Sequence, residues 1–178
     1  MAVIVVCGSG RGVGKTALVC GLIGALAEFD WMAVKITSHA HGKAEAVCEE
    51  TASGHGTDTS RYLAAGARRA LLVTADEDEL ALRLSELRER VGVGAHVLYE
   101  SNRVLRHVAP DVCLAVMSGA MDEAKPSFCE AFERADALVL PAGTANLGAE
   151  GKLVFQLDRL DRISDAMLSW LRHRLPQG

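Results

Sequence analysis

A three-layer α/β fold with a mainly parallel sheet is what this sequence predicts, and three observations predict it. Short apolar runs rich in Val, Leu and Ile alternate with helix-period segments along the whole chain. The first such run is joined to the first helical segment by a turn dense in glycine, Gly8-Ser9-Gly10-Arg11-Gly12-Val13-Gly14-Lys15-Thr16. Of the 178 residues, 49% are hydrophobic but only 4% aromatic, so the core has to be aliphatic. That length fits one domain over residues 1–178.

The elements follow in order. Ala2-Val3-Ile4-Val5-Val6-Cys7 reads as the first strand, and residues 17–28 as a helix. In that helix Leu18, Leu22 and Leu26 recur at four-residue spacing with Val19 and Ile23 on the next row, a broad buried stripe. Residues 32–36 form a second strand. Residues 37–59 mix histidines, glycines and small polar side chains and read as a loop near the site, with a short helix around 44–51. A short helix at 60–66 stops at glycine, and a third strand spans 70–74. Asp76-Glu77-Asp78-Glu79 opens a helix with Leu80, Leu84 and Leu87 on its core face. Its arginines, Arg83, Arg88 and Arg90, lie toward the end, a charge order that complements the helix dipole. Strands at 95–100, 112–117 and 137–140, a helix at 126–135 with proline in its first turn, and a closing helix at 163–175 complete the pattern.

Strand, glycine-rich turn, Gly-Lys-Thr and helix is the layout of a phosphate cradle, the P-loop. Polyphosphate oxygens need many donors in a small space. Glycines let successive backbone N–H groups point inward, and the following helix adds its unpaired N–H groups and the positive end of its dipole. Gly10, Arg11, Gly12, Val13, Gly14, Lys15, Thr16 and Ala17 are therefore the candidate nucleotide-binding residues. Lys15 brings a cation to the β- and γ-phosphates, and the Thr16 hydroxyl is a ligand for Mg²⁺. The eight-residue motif normally begins with glycine, and Ser9 stands there, between Gly8 and Gly10.

A net charge of −4 offers no basic surface for non-specific nucleic-acid binding. No apolar run approaches a membrane span, and no charged leader precedes the first strand, so a cytoplasmic protein is expected. The five cysteines are odd in number and form no CxxC pair, which suits a reducing compartment.

Ligands of parallel α/β sheets sit beyond the carboxyl ends of the strands. Glu100 closes the fourth predicted strand, where an acid holds Mg²⁺ through water, polarises an attacking water, or is an ordinary strand-end carboxylate. It is taken with Lys15 as a catalytic candidate, and with Thr16 and Asp58 as a metal candidate. Asp58 either caps the short helix or faces the metal. Lys35 is an unusual residue for a buried parallel strand and can reach a phosphate or a carboxylate. Arg61 neutralises phosphate or is solvated. His39, His41, Cys48 and His55 share one loop region, either a zinc or nickel site or a solvated loop. Lys125-Pro126-Ser127 and residues 141–148 are candidate walls for a base. The guanine-reading Asn-Lys-x-Asp sequence is absent, so GTP and ATP both stay open.

With the cradle, Lys35, Asp58 and Glu100 in place, residues 3–141 resemble the molybdopterin-guanine dinucleotide biosynthesis adapter family (MobB). Val34-Lys35-Ile36-Thr37 is similar to that family's Lys-His-Thr segment, and the stretch from Thr57-Asp58-Thr59-Ser60 to Ala65-Gly66-Ala67 to its Asp-Ser and Ala-Gly-Ala segment. Tyr99-Glu100-Ser101-Asn102 takes the place of its Val-Glu-Gly, with Ser101-Asn102 where the glycine stands. The resemblance implies GTP binding with Mg²⁺, slow hydrolysis, a homodimer, and a protein partner in molybdenum cofactor assembly. Gly8 to Thr16 also fits the Gly-x-x-x-x-Val-Gly-Lys-Thr pattern of dethiobiotin synthetase, which implies an ATP-dependent small-molecule ligase. The histidine loop keeps a nickel- or zinc-delivery GTPase open as well.

Overall fold

Alternating apolar strands buried on both faces need helices on both sides, and the chain supplies them. The computed structural model describes residues 1–38, 45–54, 56–92, 94–118, 124–144 and 151–176. Its elements are β1 (Val3–Gly8), α1 (Lys15–Ala25), β2 (Met32–Thr37), β3 (Val47–Glu49), α2 (Asp58–Ala64), β4 (Arg69–Thr74), α3 (Leu80–Val91), β5 (Val97–Glu100), β6 (Val112–Val116), α4 (Pro126–Glu133), β7 (Ala137–Pro141), β8 (Leu153–Leu157) and α5 (Asp165–Arg174). Short 3₁₀ turns follow α1 and β5.

One sheet runs β3-β4-β2-β5-β1-β6-β7-β8. The described pairings are parallel except β3 with β4. Leu18, Leu22, Tyr62, Met167 and Leu171 pack α1, α2 and α5 on one face. Leu80, Leu84, Leu87, Phe128 and Phe132 pack α3 and α4 on the other. The result is the predicted three layers. β1 is central, with β5 on one side and β6 on the other, so the chain changes direction across the sheet there and opens a crevice at the strand ends.

Three local readings need correcting. Residues 45–51 do not form the short helix expected around 44–51. Val47, Cys48 and Glu49 pair antiparallel with Val73, Leu72 and Leu71. Val47 is buried in the core, and Arg69 holds the Glu49 carboxylate with both Nε and a terminal nitrogen, so tertiary pairing overrides helix propensity. The acidic run 76–79 is a turn rather than the first turn of α3, because the Asp76 carboxylate accepts the Glu79 N–H at 3.0 Å. Thr57, not Asp58, caps α2: its hydroxyl accepts from the Ser60 N–H, and Ser60 Oγ accepts from the Thr57 N–H. The unanticipated strand β8 lies at the sheet edge.

Candidate functional site: a phosphate cradle facing buried carboxylates

The loop between β1 and α1 takes its shape from where side chains are tolerated. Gly12 and Gly14 have φ of 73° and 100°, a region that L side chains rarely adopt. Ser9 is not among the positive-φ residues, so this position tolerates a Cβ where the motif normally has glycine. Ser9 is tied into the sheet: its N–H donates to the Val116 carbonyl at 3.0 Å, and its carbonyl accepts from the Lys125 N–H at 3.2 Å. Helix α1 starts at Lys15, and its first internal bond runs from Leu18 N–H to Gly14 O. The N–H groups of Lys15, Thr16 and Ala17 therefore have no helical carbonyl to bond, which is the donor set an anion needs. Lys15 lies over the loop and donates to Gly10 O at 2.6 Å. A Cβ on Gly8 would come within 2.7 Å of the Lys15 Cγ, so the strand must end in glycine for this lysine to pass.

Strand alternation positions the carboxylate side of the site. Lys35 lies in register with Glu100 across β2 and β5, and Glu100 with Val6 across β5 and β1. Lys35 has the parity of Ala33, and Glu100 that of Leu98, so both point to the face that α1 and α2 cover. There Glu100, only 4% exposed, accepts hydrogen bonds from the Thr16 hydroxyl at 2.8 Å, from Lys35 at 2.9 Å and from the Tyr62 hydroxyl. Lys35 also donates to Asp58, on the first turn of α2. Burial opposes charge on Lys35, but the attraction of Glu100 and hydrogen bonds to Asp58 and Glu100 outweigh it and raise its pKa. Asp58 is the mirror case: burial would raise its pKa, while Lys35, the Thr16 hydroxyl and Arg61 lower it. Lys15 is pushed down by burial and by repulsion from Lys35 and Lys125, against the pull of Glu100. Burial and the neighbouring Glu100 hold the Tyr62 hydroxyl firmly protonated, so it stays a donor.

Apart from Tyr62, these groups line a cleft of about 650 Å³ at the carboxyl ends of the strands. Gly10, Arg11, Gly12, Gly14, Lys15, Thr16 and Ala17 border it on one side, and Lys35, Asp58 and Glu100 on the other. Lys125 and Ser127 close one end, while residues 145–148 of the other expected base wall lie outside the described residues. His39, His41 and His55 also lie outside them, and no group of three His, Cys, Asp or Glu side chains placed to hold a metal ion occurs among the described residues. Cys48 sits in β3, at the edge of the sheet away from the cradle. Thr16, Asp58 and Glu100 form an oxygen-only set of the kind a hard divalent cation takes, so the residues present fit Mg²⁺.

Two contacts were not foreseen from the sequence. Tyr62 reaches Glu100 because it follows Asp58 by one helical turn, a spacing that was available as a signal. Asn102 had none. Its Oδ1 accepts the Gly8 N–H at 2.8 Å and its Nδ2 donates to the Gly8 carbonyl at 3.1 Å, so a side chain extends the β1–β5 ladder by one step. Asn102→Ala is expected to weaken nucleotide affinity about tenfold, by freeing the base of the loop, and to lower stability by about 1–2 kcal/mol. Fluorescence titration beside a denaturant melt checks both numbers.

No protein-family model matches the chain, and no curated protein matches its sequence. Among solved structures it is similar to LpxK from Aquifex aeolicus, an "apo" form in complex with ATP. The TM-score is 0.56 and the identity 17%, over 88% of this chain and 53% of that one. The chain thus spans about half the length of that protein. At this identity the likeness establishes the fold alone, a three-layer α/β fold shared with that protein. No helix among the described residues is long and apolar enough to cross a membrane.

Proposed function

We propose that the chain binds a nucleoside triphosphate with Mg²⁺ and hydrolyses it slowly. The observation that carries this reading is the convergence, in one cleft, of free helix-start N–H groups, Lys15, the Thr16 hydroxyl and the Glu100 and Asp58 carboxylates. The fold neighbour's complex with ATP supports the same reading. Gly10 to Ala17 hold the phosphates. Thr16, Asp58 and Glu100 would hold Mg²⁺, which when bound neutralises charge on the β- and γ-phosphates. Lys35 keeps the two carboxylates apart yet paired, so their positions are set before any ligand arrives. Slow turnover is what the resemblance to the MobB family implies; among the described residues the cleft's carboxylates are Asp58 and Glu100, and both accept hydrogen bonds.

Resemblance to the MobB family supports GTP as the nucleotide, a homodimer, and a cytoplasmic adapter that couples nucleotide state to a partner in molybdenum cofactor assembly. A second reading, an ATP-dependent small-molecule ligase like dethiobiotin synthetase, is favoured by the presence of Arg61 and Arg103 in the lining of the same cleft, outside the loop. A thermal-shift screen with GTP, ATP and their diphosphates, with and without Mg²⁺, tests the common claim. A ligand at a hundred times its Kd stabilises the fold by about 2.7 kcal/mol, so the preferred triphosphate with Mg²⁺ should raise Tm by several degrees. No shift with any of the four overturns the proposal.

A further inference from the structure

We infer that the part of the cleft outside the loop holds a second, anionic ligand, a small molecule bearing phosphate or carboxylate, clasped by Arg61 and Arg103. This rests on the nucleotide reading above and adds a substrate class to it.

Charge is the first argument. In a chain of net charge −4, the cleft is lined by six Lys or Arg side chains and two carboxylates. A magnesium–triphosphate complex carries about two negative charges and leaves the cleft still cationic. Placement says where the surplus lies. The cleft crosses the ends of β1, β5 and β2, about 10 Å at ~4.8 Å per strand. The cradle sits over β1, and the metal ligands lie toward β5 and α2, so the γ-phosphate faces that half. Arg61, on α2 beside Asp58, and Arg103, in the turn after β5, line the cleft outside the loop.

Their own partners leave them suited to the task. Arg61 is 3.8 Å from Asp58, a loose pairing, with over a third of its side chain exposed. Arg103 follows Glu100 by three residues and is less than a fifth exposed. One terminal nitrogen is anchored on the Ala75 carbonyl at 2.9 Å, while the other is 3.8 Å from Glu77. A guanidinium held by a backbone carbonyl keeps its full charge and a fixed direction, which is what planar recognition of an oxyanion needs. Ile36, Thr37 and Ser38, at the end of β2, also line the cleft.

The test is calorimetric titration of inorganic phosphate, and separately succinate, into protein saturated with Mg²⁺ and a non-hydrolysable triphosphate analogue. Saturating the cradle removes it as a competing anion site. One equivalent of phosphate or succinate is expected to bind at submillimolar to millimolar concentration. The stronger probe identifies the phosphate or carboxylate class. Arg61→Gln should weaken that binding at least about fivefold, and Arg61→Gln with Arg103→Gln at least about twentyfold, each titrated at analogue concentrations that saturate the variant. The single variant keeps the test decisive should the double variant fold poorly. Analogue binding without uptake of either anion, or uptake unchanged in Arg61→Gln, overturns the second site and leaves the nucleotide reading standing. A chain that binds no analogue overturns both.

Discussion

Lys15→Ala is expected to abolish measurable nucleotide binding, a loss of at least about a hundredfold in affinity, with little change in stability. The ammonium group lies over the loop, bonded to Gly10 O, and its bonds to phosphate are charge-assisted. A hundredfold corresponds to about 2.7 kcal/mol, in line with the loss of two such bonds. The fold should tolerate the change, because burial and neighbouring lysines already oppose charge at this position. Removing the group gives up the bond to Gly10 O but relieves that opposition. Nucleotide titration beside a thermal melt separates the two effects. Unchanged affinity in a folded variant would remove the loop from the account.

Glu100→Gln is expected to cut magnesium-dependent turnover by at least about tenfold while nucleotide still binds. The carboxylate accepts from three donors, Thr16, Lys35 and Tyr62, and an amide nitrogen accepts from none. The glutamine oxygen cannot serve all three, and Lys35 is left with Asp58 as its counter-charge. A stability loss of about 1–3 kcal/mol should accompany the fall in turnover. The diagnostic contrast is affinity measured in Mg²⁺ against affinity in EDTA. Wild type should gain from the metal and the variant should gain little. Full magnesium-dependent turnover in the variant would return Glu100 to a purely architectural part.

The cradle was legible because its residues are contiguous and its chemistry depends on spacing along the chain. The central strands were legible because burial on both faces leaves unbroken apolar runs such as Val3 to Cys7. β3 and β8 are edge strands, half exposed and short, so neither leaves such a run. Their existence depends on partners far away in sequence, Leu71 to Val73 for one and Ala137 to Pro141 for the other. The same holds within the site. Lys35, Asp58 and Glu100 could each be flagged from their place at an element's end. That Lys35 lies between the two acids depends on β5 inserting between β1 and β2, which no local pattern encodes. Asn102 is the extreme case, a polar side chain standing in for backbone.

Gly14 and Gly21 lie against the connection between β8 and α5. A Cβ at Gly14 would meet the Leu160 side chain at 2.1 Å, and one at Gly21 the Asp161 backbone at 2.9 Å. The seat of the anion loop is thus finished by residues made roughly 140 positions later. On a ribosome the nascent chain carries the whole motif early, yet lacks the buttress until translation passes Asp161. Such late closure means that nucleotide cannot chaperone the first half of synthesis, and that ligand-dependent protection from proteolysis should emerge only as the last strand and helix are completed.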